Sequence, residues 1–185
     1  MTHPDVRLVV RAADFAARRH VNQRRKGVAR DPYINHLIEV AGLLAEATRG
    51  DDAALIAAGL LHDTLEDTPT KYEELETLFG GDVATLVAEV TDDKSLPKAE
   101  RKRLQIETAA SKSPRGRLLK IADKTSNVRA LASSPPDGWE VARVIEYVDW
   151  AENVVARCRG VNQSLDRAFD AAVTDARAAI AIRAA

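Results

Sequence analysis

Residues 60–68 read LLHDTLEDT and place two pairs of ionisable side chains in an otherwise apolar segment. The first pair is His62 and Asp63, and the second is Glu66 and Asp67. Because residues four apart share one face of a continuous helix, we expect His62 above Glu66 and Asp63 above Asp67. A bound cation would compensate the charge on such a helix. The pattern therefore predicts that His62 and Asp63 bind a metal ion, while Glu66 and Asp67 act on the protons of a water molecule and a leaving group.

Two more polar residues stand within apolar helical segments and extend this ligand set. His36 lies in YINHLIEVAGLLAE, and Asp123 lies in LLKIADKTSNVRAL. With His62 and Asp63 they supply two imidazoles and two carboxylates, so we predict all four as ligands of a catalytic divalent ion. Imidazole favours zinc, iron and nickel, whereas carboxylates favour manganese and magnesium. The lack of thiolate ligands argues against a structural zinc site.

The hydrophobic pattern repeats with the helical period of about 3.6 residues, and no long segment alternates as a strand would. We therefore predict an all-α fold, a single compact bundle of about eight or nine helices that covers residues 1–185. The third helix should run unbroken through LLHDTLEDT. The last, Ala-rich helix carries no candidate catalytic group and is expected to be peripheral. Candidate helix N-caps are Asn35, Asp51 or Asp52, and Thr70.

The composition predicts a soluble, cytoplasmic protein without general affinity for polyanions. The chain has 27 Lys and Arg residues against 28 Asp and Glu residues, a net charge of −1, so we expect no nucleic-acid or membrane partner. Cys158 is the one cysteine, which excludes an internal disulfide and is consistent with a reducing compartment. The N-terminal residues lack the apolar core of a signal peptide, and the longest apolar run is far shorter than the roughly 20 residues of a membrane span.

A basic patch early in the chain is a candidate site for phosphate groups. It contains Arg25 and Lys26, which could neutralise phosphates, and an arginine can also stack on a base. Asn127 follows Asp123 by one helical turn, where it could bond a substrate sugar or hold the carboxylate of Asp123. A second basic group, within residues 98–103, is better explained as a solvated helix face.

Several segments, in the same order, resemble the hydrolase domain of the RelA/SpoT alarmone enzymes, and most closely the small, stand-alone hydrolases of that family, which include the metazoan SpoT homologue. The resemblance covers residues from about 22 to 155. The matching segments are QRRKG and PYINH, AALIAAGLLHDTLEDT, FGGDVATLVAEVTDDKSLPKAERKRLQ, KIADKTSNVRAL and GWEVARVIEYVDWAENVV.

The resemblance implies a compact all-α HD bundle that removes the 3′-pyrophosphate from ppGpp or pppGpp, giving GDP or GTP and pyrophosphate. It implies manganese as the cofactor, with another divalent transition metal as the alternative, and hydrolase activity without a synthetase. By motif, the metal ligands would be His36, His62, Asp63 and Asp123, and the residues that activate water would be Glu66 and Asp67. The residues near the nucleotide would be Arg25, Lys26, Asn127 and Tyr147.

Two other functions remain open from the residues. One is a different phosphohydrolase activity on the same scaffold, such as removal of the 2′-phosphate of NADPH. The other is a non-catalytic nucleotide-binding module, which would not require the acidic pair Glu66 and Asp67. The chain also departs from the family pattern, because ADKTSN stands where ADKLYN or ADRLHN is usual. Smaller side chains at Thr125 and Ser126 would widen the substrate pocket.

Overall fold

The computed structural model describes residues 2–184, and its regular elements in that range are all helices, with no strand. The all-α prediction is therefore confirmed, and nine of the helices have eight or more residues. A 3-10 turn covers Ala109–Ser111. The helices are α1 (His3–Arg19), α2 (Ile34–Thr48), α3 (Ala53–Leu61), α4 (Thr64–Asp67), α5 (Tyr72–Phe79), α6 (Gly81–Val90), α7 (Lys98–Thr108), α8 (Pro114–Ser133), α9 (Val141–Cys158) and α10 (Gln163–Ala184).

Helix α3 lies at the centre of the bundle, because its sequence AALIAAGLL has no polar face to turn towards water. It packs against α1, α2 and α6. A Cβ atom on Gly59 would lie 2.7 Å from Cδ1 of Leu44 and 3.3 Å from Cα of Ala41. Glycine at this position therefore allows α2 and α3 to approach closely. The close approach brings His36, on α2, near His62, at the end of α3.

The expected unbroken helix through LLHDTLEDT is wrong, because α3 ends at Leu61 and α4 begins at Thr64. The side chains of the segment bond the carbonyl groups at the end of α3. The ring of His62 bonds the carbonyl oxygen of Gly59 through Nδ1 (2.9 Å), and the hydroxyl of Thr64 donates to the carbonyl oxygen of Leu61 (2.6 Å). Such local side-chain bonds compete with helix continuation. His62 and Asp63 form the short turn between the two helices.

Two of the predicted helix caps are also corrected. Helix α2 already begins at Ile34, so Asn35 lies inside it, and α5 has Lys71 rather than Thr70 at its N-cap. The cap at Asp52 is confirmed, because its carboxylate accepts a hydrogen bond from the backbone N–H of Leu55 (3.0 Å). Within residues 2–184, no helix is both long enough and apolar enough to span a membrane.

Helix α8 forms a second buried layer and joins the site to the C-terminal part of the bundle. It packs against α2, α9 and α10. Although the sequence suggests a peripheral last helix, one face of α10 belongs to the core, and the side chain of Phe169 is fully buried. Helix α10 therefore packs against α8, and it also contacts α9 and α2.

We predict that Phe169→Ala lowers the free energy of unfolding by about 3–5 kcal/mol, because it leaves a cavity between α10 and the core. The matched control on the same helix is Ile182→Ala, whose side chain is 79% exposed. That variant should remain within about 0.5 kcal/mol of the parent protein. Urea denaturation followed by circular dichroism measures both. Equal stability of the two variants would show that α10 adds nothing to the core.

Candidate active site

The four predicted metal ligands converge at one buried point between α2, the end of α3 and α8. Donor atoms of His36, His62 and Asp123 lie within 4.8 Å of one another. The Oδ1 atom of Asp123 lies 3.4 Å from Nε2 of His36 and 3.8 Å from Nε2 of His62. The Oδ2 atom of Asp63 lies 3.7 Å and 3.1 Å from the same two nitrogens. Residues far apart in the chain thus present two nitrogens and two oxygens to a common centre.

Hydrogen bonds on the far side of each ring orient both imidazoles. The Nδ1 atom of His62 faces the carbonyl oxygen of Gly59, which can only accept, so the proton must be on Nδ1. The Nδ1 atom of His36 bonds the hydroxyl oxygen of Ser126 (2.8 Å), and that hydroxyl donates to Oε2 of Glu39 (2.7 Å). In both rings the Nε2 atom therefore points at the centre, where its lone pair would face a bound metal ion, as in metal-binding histidines.

The carboxylates of the centre are held by donors of their own. The phenol of Tyr33 donates to Oδ2 of Asp63 (2.6 Å). The ammonium of Lys124 donates to Oδ2 of Asp123 (2.8 Å), and the amide of Asn127 donates to Oδ1 (2.6 Å). Asn127 thus takes the second of the two roles that the sequence left open, holding the carboxylate of Asp123.

The electrostatics of the centre favour additional positive charge. Burial lowers the pKa of His62, but the carboxylates of Asp63 and Asp123 outweigh burial and raise that pKa to about 10. Burial alone dominates at His36, whose pKa is lowered. The Nε2 atom of His62 is buried and has no hydrogen-bond partner within residues 2–184. An unpartnered nitrogen beside two carboxylates fits a divalent ion, so the residues present suit a bound metal.

The acidic pair lies beside this centre, in contact with basic groups from α7 and the loop before it. Oε1 of Glu66 lies 3.5 Å from Nη1 of Arg101 and 3.9 Å from Nζ of Lys94, which also pairs with Asp67. The backbone N–H of Asp92 donates to Oε2 of Glu66 (3.4 Å). Burial, followed by the charges of Asp92, Asp63 and Asp67, raises the pKa of Glu66. Glu66 is therefore suited to hold a proton.

Arg101 corrects the expectation that residues 98–103 form only a solvated helix face. Its guanidinium contacts Glu66, and the ammonium of Lys102 lies 5.0 Å from the ring centroid of Trp150. Burial and the nearby charges of Arg143, Lys102 and Lys26 lower the pKa of Lys98. One side of α7 therefore supplies positive charge next to the acidic pair.

The predicted substrate residues lie around the rim of the centre. Arg25 donates from Nη2 to Oδ1 of Asn127 (3.0 Å), which connects the basic patch to the amide that holds Asp123. The side chain of Lys26 is exposed. Tyr147 is half-buried on α9, and its ring centroid lies 5.2 Å from that of Trp150.

A cavity of about 200 Å³ opens beside His36 and adds room for a ligand next to Arg25. Ser126 contributes to its wall, but this residue does more than widen a pocket, because its hydroxyl orients His36. The cavity is lined by Arg25, Asp31, Asn35, His36, Glu39, Ser126, Arg129, Ala130 and Ser133.

Several residues of the site carry no distinctive local sequence pattern and were missed by sequence reasoning. Tyr33 and Ser126 hold metal-ligand candidates, and Gln23 donates from Nε2 to Oδ2 of Asp67 (2.9 Å). The one available signal was the departure from the family pattern at ADKTSN, which places a hydroxyl at Ser126.

The chain resembles known proteins in sequence and in fold. The model of the HD domain matches residues 12–152. The guanosine-3′,5′-bis(diphosphate) 3′-pyrophosphohydrolase MESH1 of Homo sapiens is 51% identical over 161 residues, covering 87% of this chain and 90% of that protein. The protein of the same name from Drosophila melanogaster is 48% identical over 170 residues, covering 91% and 94%. A solved structure, described as a metazoan orthologue of SpoT that hydrolyses ppGpp, matches with a TM-score of 0.86 at 45% identity and covers 89% of this chain and 93% of its own.

We predict that His62→Ala and Asp123→Ala leave a folded helical protein whose affinity for divalent metal falls by more than about 100-fold. Ser126→Ala should lower it by about 10- to 100-fold, the usual range for a group that only orients a ligand. Calorimetric metal titration, with circular dichroism as the test of folding, measures each variant. His3→Ala, an exposed histidine on α1, is the control and should bind metal normally. Unchanged metal affinity in folded His62→Ala would show that this centre is not the metal-binding site.

Proposed function

Because the chain belongs to the HD-domain family, with about half of its residues identical to named ppGpp pyrophosphohydrolases, we propose that it hydrolyses ppGpp and pppGpp. The products are GDP or GTP and pyrophosphate. The observation that carries the proposal is the orphaned Nε2 atom of His62, which faces Asp63 and Asp123 next to the acidic pair Glu66 and Asp67. A purely nucleotide-binding module would have no need for this arrangement.

The metal ligands in this proposal are His36, His62, Asp63 and Asp123, and the ion is Mn²⁺. The mixed set of imidazole and carboxylate donors supports a divalent ion of this kind. When bound, the ion would neutralise charge on the phosphate and lower the pKa of a coordinated water. Tyr33 and Asn127 keep two of the carboxylates in place for it.

Glu66 and Asp67 share the proton transfers. Asp67 orients and deprotonates the attacking water, since Gln23 and Lys94 hold its two oxygens in a defined direction. Glu66 donates a proton to the ribose 3′-oxygen as its bond to phosphorus breaks, because its raised pKa favours the protonated acid. The water oxygen forms the new bond to that phosphorus, and the nucleotide leaves with a free 3′-hydroxyl group.

Positive charge at the rim binds the anionic substrate, although the whole chain has a net charge of −1. Arg25 and Lys26 lie next to the nucleotide, and Asn127 fixes the direction of the Arg25 guanidinium. Repulsion among Lys26, Lys98 and Arg143 is relieved when phosphate groups enter between them. Tyr147, which packs against Trp150, contacts the ribose.

Residues 1–185 form one hydrolase domain in this proposal, since α8 contacts both α2, which carries His36, and α10. The protein acts in the cytoplasm. The buried free thiol of Cys158 supports a reducing compartment, because such a compartment keeps thiols reduced.

Purified protein with Mn²⁺ should convert ppGpp into GDP and pyrophosphate, and EDTA should stop the reaction. Anion-exchange chromatography identifies the nucleotide, and phosphorus NMR distinguishes pyrophosphate from orthophosphate. Folded His62→Ala with added Mn²⁺ is the inactive control. Release of orthophosphate from ppGpp would contradict the proposed cleavage, and rapid dephosphorylation of NADPH with inert ppGpp would favour the alternative substrate.

Glu66→Gln and Asp67→Asn should each lower kcat by about 100-fold or more, because each removes one proton transfer. Both variants should still bind Mn²⁺ with the affinity of the parent protein, as measured by calorimetric titration. Exposed residues elsewhere offer matched controls, Glu73→Gln and Asp170→Asn, which should remain fully active. Loss of the ion in either test variant would make that residue a metal ligand and contradict its proposed role in proton transfer.

A further inference from the structure

A pair of polar residues in the loop after α1 lies behind the acidic pair. His20 is the C-cap of α1, and only 3% of its surface is exposed. Gln23 follows three residues later and is half-buried. The Nδ1 atom of His20 lies 2.6 Å from Oε1 of Gln23, and Nε2 of Gln23 donates to Oδ2 of Asp67 (2.9 Å). A continuous chain of hydrogen bonds therefore ends on Asp67.

The direction of this chain follows from the acceptor at its end. The carboxylate of Asp67 can only accept, so the NH₂ group of Gln23 must face it and the amide oxygen must face His20. An amide oxygen also only accepts, and the proton of the His20 ring must therefore be on Nδ1. The other ring nitrogen, Nε2, is buried without a partner anywhere in the part of the chain that the structure describes. The bond to Gln23 is thus the only side-chain hydrogen bond that His20 makes there.

The His20 ring is also connected to Asp63, one of the proposed metal ligands, through Tyr33. It stacks on the ring of Tyr33 with a centroid distance of 5.1 Å and an interplanar angle of 27°. The phenol of Tyr33 donates to Oδ2 of Asp63. One buried ring is therefore in contact with Gln23 and Tyr33, the residues that bond Asp67 and Asp63.

We propose that His20 and Gln23 are a positioning pair that holds the carboxylate of Asp67 at a fixed distance and angle from the metal centre. The proposal rests on the proposed function of Asp67 in proton transfer. Lys94 cannot fix the direction of the Asp67 carboxylate by itself, since its side chain is 48% exposed and its ammonium is a point charge without directional preference. Gln23, held by a buried ring, fixes the second oxygen in one direction.

The first test removes the hydrogen bonds of Gln23 with little change in size. Gln23→Met should lower kcat for ppGpp by about 10- to 100-fold, the scale expected for one hydrogen bond to a charged group. KM and Mn²⁺ affinity should change by less than about twofold, because Gln23 touches neither substrate nor metal in this proposal. Gln163→Met, at an exposed position on α10, is the matched control and should be fully active.

A double-mutant cycle decides whether Gln23 acts through Asp67. In an Asp67→Asn background, Gln23→Met should cause little further loss of kcat, because the group that it positions is already disabled. If the loss of kcat in the double variant equals the product of the losses in the two single variants, Gln23 acts independently of Asp67 and the proposal is overturned.

A pair of substitutions at His20 separates hydrogen bonding from packing. His20→Asn keeps an N–H donor near the place of Nδ1 but loses the aromatic stack, whereas His20→Phe keeps the stack and loses the donor. The positioning role predicts a higher kcat for the Asn variant than for the Phe variant. A purely structural role predicts the reverse order, together with parallel losses of thermal stability.

A readout that does not depend on turnover separates this proposal from the proposed function. Long-range proton–nitrogen NMR on the full chain with Mg²⁺ should find the proton of the His20 ring on Nδ1 in the parent protein. In Gln23→Met, the proton should no longer be confined to Nδ1. Turnover of ppGpp by the parent together with unchanged kcat in Gln23→Met would overturn the positioning pair alone. A parent protein that does not hydrolyse ppGpp would contradict the proposed function. The positioning pair would then be rejected as well if NMR found the proton of the His20 ring on Nε2.

Discussion

Two imidazole rings are held with their Nε2 atoms directed at one buried point, and the rest of the site depends on this constraint. The carbonyl oxygen of Gly59 and the hydroxyl of Ser126 hold the Nδ1 atoms, so neither ring can turn. Two Nε2 atoms beside two carboxylates in a buried site favour positive charge between them, which is also why the carboxylates raise the pKa of His62 to about 10. The fold therefore stores an arrangement that a divalent ion completes.

A short turn separates α3 from α4 within the segment that carries four of the candidate site residues. His62 and Asp63 keep dihedrals in the right-handed helical region, and the ring of His62 bonds the carbonyl oxygen of Gly59, three residues earlier. His62 and Asp63 lie in the one short turn between the helices, and α4 carries Glu66 and Asp67 directly after it. The proposed metal ligands and the proposed proton-transfer residues are thus neighbours along the chain.

Charge in this protein is organised locally. The net charge is nearly zero, yet three of the four acidic groups of the site each face a specific cation, Asp123 with Lys124, Asp67 with Lys94 and Glu66 with Arg101. Excess positive charge gathers on the adjoining side of α7 and in the loop after α1. A polyanionic nucleotide would experience that local field, since screening in physiological salt limits the influence of more distant charges to about 8 Å.

The sequence by itself determined the helical class of the fold, through its apolar periodicity, and the identity of the groups that converge, through polar residues such as His36 and Asp123 set in apolar helices. These signals are local, so they can be read without knowing which helices touch. Only the tertiary structure decided the break after Leu61, the burial of α10 and the partners of each ligand. Ser126, Tyr33 and Gln23 are ordinary residues in their own segments, and their roles arise because chain packing brings them within hydrogen-bond distance of residues remote in the sequence.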